Sequence, residues 1–250
     1  MLNEIKAEFK KIFTIRSTYI ILGLILILVC FFGFYVGGWH SNKLDLINPQ
    51  RLYMVSIQAI GFMSTLGALI SILLFTHEFR YNTVAYTLTL SNSRNKVFLS
   101  KIIVISMVAL TTTAVVGALS PTLAYLGIHA NHLQLVPQHF YYSDILWKGL
   151  VFGWGSAMAG FVIAALIRNQ IGAIVTFLIV PSTVEGLLSI WLKSNTDYLP
   201  FTALHTMLGA GNNGIQNANL KPLEAMFVFL GYLVVSGAIS WVLFNRRDAN

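Results

Sequence analysis

Six stretches of about 20 residues each, Ser17–Asn42, Val55–Phe75, Ile102–Leu126, Gly149–Ile167, Ile171–Leu192 and Ala225–Asn245, contain no Asp, Glu, Lys or Arg apart from Glu185 in the fifth. At 1.5 Å of rise per residue, a helix of that length crosses a ~30 Å hydrocarbon core. The runs are continuously apolar rather than alternating, so a closed β-barrel is excluded. Helices are then the one way to satisfy the backbone in lipid. Composition agrees: 56% of the 250 residues are apolar and 10% are charged, against about 45–50% and about 25% in globular chains. An ordinary soluble domain and a disordered chain are both excluded. The lone Cys30 rules out an internal disulfide framework. Bulky Phe31, Phe32, Phe34 and Tyr35 stand where a signal peptide would need small residues, so the first run reads as a retained span.

The expected fold is an all-α integral membrane protein with six transmembrane helices. An N-terminal amphipathic interface helix precedes them, and a short re-entrant or interfacial helix lies between spans five and six. One transmembrane domain fills residues 1–250, with the interface helix at 1–16 and spans near 17–38, 54–76, 102–126, 148–167, 171–192 and 225–245. Residues 77–101 form a loop on one side and 193–224 a loop on the other.

The formal charge of +7 would point a soluble protein toward nucleic acid, but here its placement decides, and no nucleic-acid partner is expected. Lys6, Lys10, Lys11, Arg16, Arg80, Arg94, Lys96, Lys101, Arg168, Arg246 and Arg247 fall on one side; Lys43, Arg51, Lys148, Lys193 and Lys221 fall on the other. Positive charge is retained inside, which predicts both termini in the cytoplasm. Phe140, Tyr141, Tyr142 and Trp147 then suit an outer interfacial belt. The expected location is a bacterial plasma membrane, with membrane lipid as a partner.

Leu2, Ile5, Phe9, Ile12 and Phe13 recur at helical spacing ahead of the first span, with Lys and Glu largely on the other faces. This helix is expected to lie in the interface, its lysines near anionic headgroups. The loop at 77–101 mixes charge with Val84, Tyr86, Leu88, Phe98 and Leu99, which need a partner or the interface to cover them. In the fifth span, Pro181 should kink or unwind the helix near Glu185. A carboxylate at that depth must face protein or water. It either lines a translocation path or gate, or serves as a structural partner for Lys193, Lys148 or a freed backbone amide.

Tyr198–Leu208 is too short to cross, and Pro200 and Gly209 bound it. Small residues at 149, 153, 157, 160 and 164 allow close helix packing or a subunit seam. His129, His132 and His139 share one loop without the dense acidic or thiolate set that a zinc site demands, and are read as solvated. Gly209–Gly214 spells G-x-G-x-x-G but follows no strand and is set aside. No H-E-x-x-H, G-x-S-x-G or phosphate loop occurs, so neither an enzyme nor a bound cofactor is expected.

Several short segments together resemble one family. These are Glu8, Lys11 and Arg16 before the first span; Glu78-x-Arg80-x-x-Thr83 followed by Ser93-Arg94 and Lys101; the Arg168-Asn169-Gln170 turn; Pro181; and Tyr198-Leu199-Pro200-Phe201. They resemble the membrane subunit of ATP-binding cassette exporters, the type-2 ABC permease family, over essentially the whole chain. The resemblance implies a six-span half-transporter that pairs with a second permease subunit, identical or not, and with separate cytoplasmic ATPase subunits. The loop at 77–101 would hold the coupling helix, with Glu78, Arg80, Thr83, Ser93, Arg94 and Lys101 at or near the ATPase. Tyr198, Pro200 and Phe201, with Pro181 and Glu185, would belong to the path or its outer gate. The alternative is an ATP-independent secondary transporter or channel, for which Glu185, with His205 near an edge, leaves few ionisable groups.

Overall fold

In the computed structural model, Arg16–Val36, Met54–Arg80, Arg94–Ala130, Ser143–Ile167, Gln170–Leu192 and Pro222–Arg246 are long and apolar enough to cross a membrane. The structure describes residues 2–39, 49–90, 93–133, 142–208 and 220–246, within which every regular element is helical. Lys43, His139, Phe140, Tyr141, Arg247 and the Gly209–Gly214 motif lie outside the described residues. Shorter helices at Leu2–Ile12, Val84–Leu90 and Pro200–Leu208, with a 3-10 segment at Lys193–Tyr198, complete the chain's described architecture, Pro200–Leu208 being the piece expected between spans five and six.

The second and fourth spans form the centre. They bury 56% and 61% of their apolar windows, against 17% for the first, fifth and sixth, which present Leu, Ile and Val outward from the bundle. Lipid tails are as apolar as leucine, so helices associate here by close packing rather than by hydrophobic exclusion. The small residues of the fourth span supply it. A Cβ on Gly149 would stand 2.9 Å from Ile60, one on Gly153 2.0 Å from Thr113 Oγ1, and one on Gly160 2.8 Å from the Ala68 carbonyl. Ser71 Oγ, 2.7 Å from the Ala157 carbonyl, adds a hydrogen bond across the same crossing. The stripe therefore seats the fourth span against the second and third within one chain. Gly160→Ala is expected to cost about 1–3 kcal/mol because backbone, not a flexible side-chain tip, must yield. Gly67→Ala, with open space around its Cβ, should leave thermal unfolding in detergent unchanged.

Two spans relax from α to π geometry. The first does so at Phe31–Trp39, where Gly33 lets the chain approach the third span to within 3.0 Å of Leu123 Cβ for a built Cβ. The fifth does so at Val180–Val184, where Pro181 lacks an N–H and its ring displaces the carbonyl four residues back. The Glu185 amide then bonds to the Val180 carbonyl, five residues away, before α geometry resumes at Glu185–Leu192.

Candidate functional site

At the end of the bundle that carries the N-terminus, three helices bring four charges together. Glu8 and Lys11 lie three apart on the first helix, Glu78 closes the second span, and Lys101 sits in the second turn of the third. Lys11 Nζ contacts Glu8 Oε1 at 2.7 Å and also bonds to Glu78 Oε1. Lys101 Nζ is 3.0 Å from both Glu8 Oε2 and Glu78 Oε1. Glu8, Glu78 and Lys101 are only 8%, 5% and 3% exposed. Two carboxylates and two ammonium groups make a neutral set, the arrangement that a buried charge cluster needs to persist. Burial alone would pull the Lys11 ammonium down; the carboxylates of Glu78 and Glu8 outweigh it and hold its pKa above the ordinary lysine value. Its contribution is thus present at neutral pH and is lost only as pH rises through that raised value.

The chain stops the second span immediately beyond this cluster. Asn82 adopts a left-handed φ of 53°, and the amides of Thr83 and Asn82 return to the carbonyls of Glu78 and Phe79 at 2.9 and 3.4 Å. That pairing is a Schellman stop, with Asn in the place glycine usually takes. Thr83 then serves as the first residue of the next turn, its carbonyl accepting from Thr87 N at 3.1 Å as Val84–Leu90 begins. Val84 is buried, while Tyr81 and Tyr86 are 55% and 73% exposed. Arg80 is exposed beside them; it donates to Gln170 Oε1 at 3.1 Å, and its guanidinium lies 5.6 Å from the Tyr81 ring centre. Ser93, extended at φ −158°, stands immediately before the third span, its carbonyl accepting from Lys96 N at 3.1 Å.

Two arginines gather at the last helix. Arg94 Nη1 donates to the Asn245 carbonyl at 2.9 Å and Arg168 Nη2 to the Leu243 carbonyl at 3.2 Å, satisfying carbonyls that a helix C-terminus leaves orphaned. Arg168 also packs over Phe79 and Phe244. Its left-handed φ of 56° makes the tight turn between spans four and five, after which Asn169 Oδ1 caps the next helix by accepting from Gly172 N at 2.9 Å. The structure thus brings Glu78 and Lys101 into one buried cluster. It leaves Arg80 and Thr83 on an exposed turn and gives Arg94 to the last helix.

At the opposite end, Glu185 is 4% exposed and spends its carboxylate on the short helix Pro200–Leu208. Oε1 accepts from Phe201 N at 2.8 Å; Oε2 accepts from Thr202 N at 2.7 Å and Thr202 Oγ1 at 2.8 Å. The residue before that helix, Leu199, has no side-chain acceptor, so a carboxylate from another span does the capping and also meets the positive end of the helix dipole. Pro200 at the first helical position needs no partner for an amide. Phe201 is buried and packs edge-on against Phe177 at 5.8 Å, whereas Tyr198 is half exposed. Burial beside Phe152 holds the His205 imidazole below its ordinary pKa, so it is neutral at pH 7. Between the first four spans, the void lined by Ile60, Met63, Ser64, Thr113 and Gly153 is only about 10 Å³, whereas an apolar groove between the third, fourth and sixth spans, lined by Ile102, Trp154, Phe161, Leu233 and Trp241, is about 390 Å³.

The sequence names no partner for Glu8 or Lys11; for Glu185 it leaves a path or gate role open beside pairing with Lys193, Lys148 or a freed backbone amide, and the amide pairing is the one present. Glu8 and Lys11 are at i,i+3 spacing on one helix, but their pairing with Glu78 and Lys101, like that of Glu185 with Phe201 and Thr202, joins separate helices and has no local signal.

A family model described as an ABC-2 family transporter protein matches residues 4–183. The chain belongs to this family. As an ABC-2 family transporter protein it is a multi-pass membrane permease, of a kind that is not itself generally catalytic. The match takes in the four-charge cluster and the turn at Arg80–Thr83, and it ends just before Glu185 and the short helix it caps. No curated protein matches the chain.

Proposed function

We propose that this permease is the membrane subunit of an ATP-driven exporter, working with separate cytoplasmic ATPase subunits and a second permease subunit. The observation that carries the reading is the short helix Val84–Leu90, with exposed Tyr81, Tyr86 and Arg80 at its start, mounted on a buried four-charge cluster. A docking element must pass force on rather than bend. Here Arg80, Tyr81 and Tyr86 form the contact for the ATPase, Thr83 closes the turn that presents them, and Ser93 starts the helix that receives the movement. Glu78 and Lys101 act as positioning residues that tie this loop to the first helix, and Arg94 ties it to the last.

The balance of Lys and Arg favours both termini in the cytoplasm, on the ATPase side, in a bacterial plasma membrane. At the outer end, Glu185 would latch the helix Pro200–Leu208 as a gate, with Phe201 seated inward, Tyr198 at the rim and the π segment at Pro181 as the place where the fifth span gives.

The test is Arg80→Glu combined with Tyr86→Ala in the full chain, assayed with its ATPase. ATP-driven transport and ATPase association should fall by about 30-fold, as expected for losing an aromatic and arginine hot spot, with unfolding temperature unchanged. Wild-type association and transport in this variant would overturn the docking assignment.

A further inference from the structure

The groove between the third, fourth and sixth spans, at about 390 Å³, falls in the range of small-molecule sites, roughly 300–1,000 Å³. Its floor is Phe98, Met158 and Phe161, all buried; its rim is Leu99 and Trp241, 46% and 43% exposed, so the mouth opens sideways from the bundle. It lies toward the end that carries the four-charge cluster, Phe98 and Lys101 being one turn apart on the third span. The sixth span stands off here, and a Cβ built on Gly237 meets nothing within 4 Å. Beyond the groove it is tied back to the third span, Trp241 Nε1 donating to Asn95 Oδ1 at 3.1 Å and Arg94 Nη1 to the Asn245 carbonyl at 2.9 Å. None of the described lining residues is charged. The indole N–H groups are already spent, Trp154 on Ser106 Oγ at 3.0 Å and Trp241 on Asn95, so neither is left to donate to an occupant.

We propose that this groove is a binding site for an uncharged, planar aromatic molecule that enters sideways from the membrane. A charged occupant would find no counter-ion among the lining side chains. A plain acyl chain gains nothing by leaving the bilayer, because lipid tails are as apolar as the lining. What the lining offers beyond lipid is its rings, those of Trp154, Trp241, Phe98 and Phe161. A ring-on-ring contact adds about two- to tenfold in affinity beyond the area it buries. A helix from a second subunit does not fit: at about 10 Å across, only about 5 Å of it, a single turn, fills this volume. The assignment stands whether or not the chain works with an ATPase.

The full chain in phosphatidylcholine nanodiscs is titrated with pyrene, and energy transfer from tryptophan to pyrene is read. Wild type should show a saturable component above the linear background from pyrene dissolved in lipid, displaced by excess phenanthrene and not by hexadecane. Gly237→Leu, which fills the groove from a position with open space around it, should remove the saturable component. Trp241→Leu should raise the half-saturating pyrene concentration about fivefold, whereas Trp241→Phe, which loses the same bond to Asn95, keeps it. A strictly linear response in wild type, displacement by hexadecane, or an unchanged titration in Gly237→Leu overturns the site. So does a fall in oligomeric size in Gly237→Leu, because the groove would then be a seam between subunits.

Discussion

Glu78→Ala is expected to destabilise the permease by about 3–5 kcal/mol, the cost of leaving a buried charge without its partner. Removing that carboxylate leaves Lys11 and Lys101 sharing Glu8 alone, one positive charge in excess, at a site where Lys101 is 3% exposed. The first helix should then detach before the bundle unfolds, since the cluster is a principal tie between Leu2–Ile12 and the second and third spans. Glu78→Ala combined with Lys101→Met restores neutrality and should recover part of the loss, a coupling of roughly 0.5–3 kcal/mol in a double-mutant cycle. Arg80→Ala, two residues away but exposed, should cost no more than about 1 kcal/mol. Thermal unfolding in detergent, read together with hydrogen exchange over residues 2–12, measures all three. Wild-type stability in Glu78→Ala, or strictly additive effects in the double variant, would mean that the four charges do not act as a unit.

The second large effect is expected at Glu185. Glu185→Ala strips three charge-assisted hydrogen bonds from Phe201 N, Thr202 N and Thr202 Oγ1 and leaves the buried amide of Phe201 unpaired. The local cost should be about 3 kcal/mol, which is roughly a 100-fold loss of amide protection across Pro200–Leu208. Glu185→Gln should fall nearly as far: its single carbonyl oxygen serves one amide, and its NH₂ group is set donor against donor on the other. The effect should stay local, with exchange in the second and fourth spans untouched. Unaltered protection of Pro200–Leu208 in Glu185→Ala would show that the carboxylate does not hold the short helix in place.

The two sites differ in how far sequence could foresee them. The six spans were legible because each is a charge-free run long enough for the bilayer, and nothing local competes with that signal. Pro181 foretold a break in the fifth span, though not that the chain would answer with π geometry at Val180–Val184. The first helix was legible as amphipathic, but its periodicity does not say that its charges divide, with Glu8 and Lys11 turned inward and Lys6 and Lys10 left outside. That division depends on Glu78 and Lys101, and the hydrogen bonds that set it join residues 67 and 93 positions apart. Glu185 could be recognised as a costly intramembrane carboxylate. Its partners could not be named, because two of the three are backbone amides, which every sequence offers equally, and the third is the hydroxyl of Thr202 on the same short helix. The small residues of the fourth span suited either an internal crossing or a subunit seam, and the choice rested on what stands opposite Gly153 and Gly160.

The most direct measurement of the central claim is the stoichiometry of the native complex. The tagged chain, extracted in mild detergent from its own membrane, should bring down a nucleotide-binding ATPase subunit at about one per permease. Arg80→Glu with Tyr86→Ala should weaken that association about 30-fold while the permease itself remains folded. Recovery of the permease with no ATPase, from membranes in which that subunit is present and stable, would contradict ATP-driven export and turn the assignment to an ATP-independent transporter.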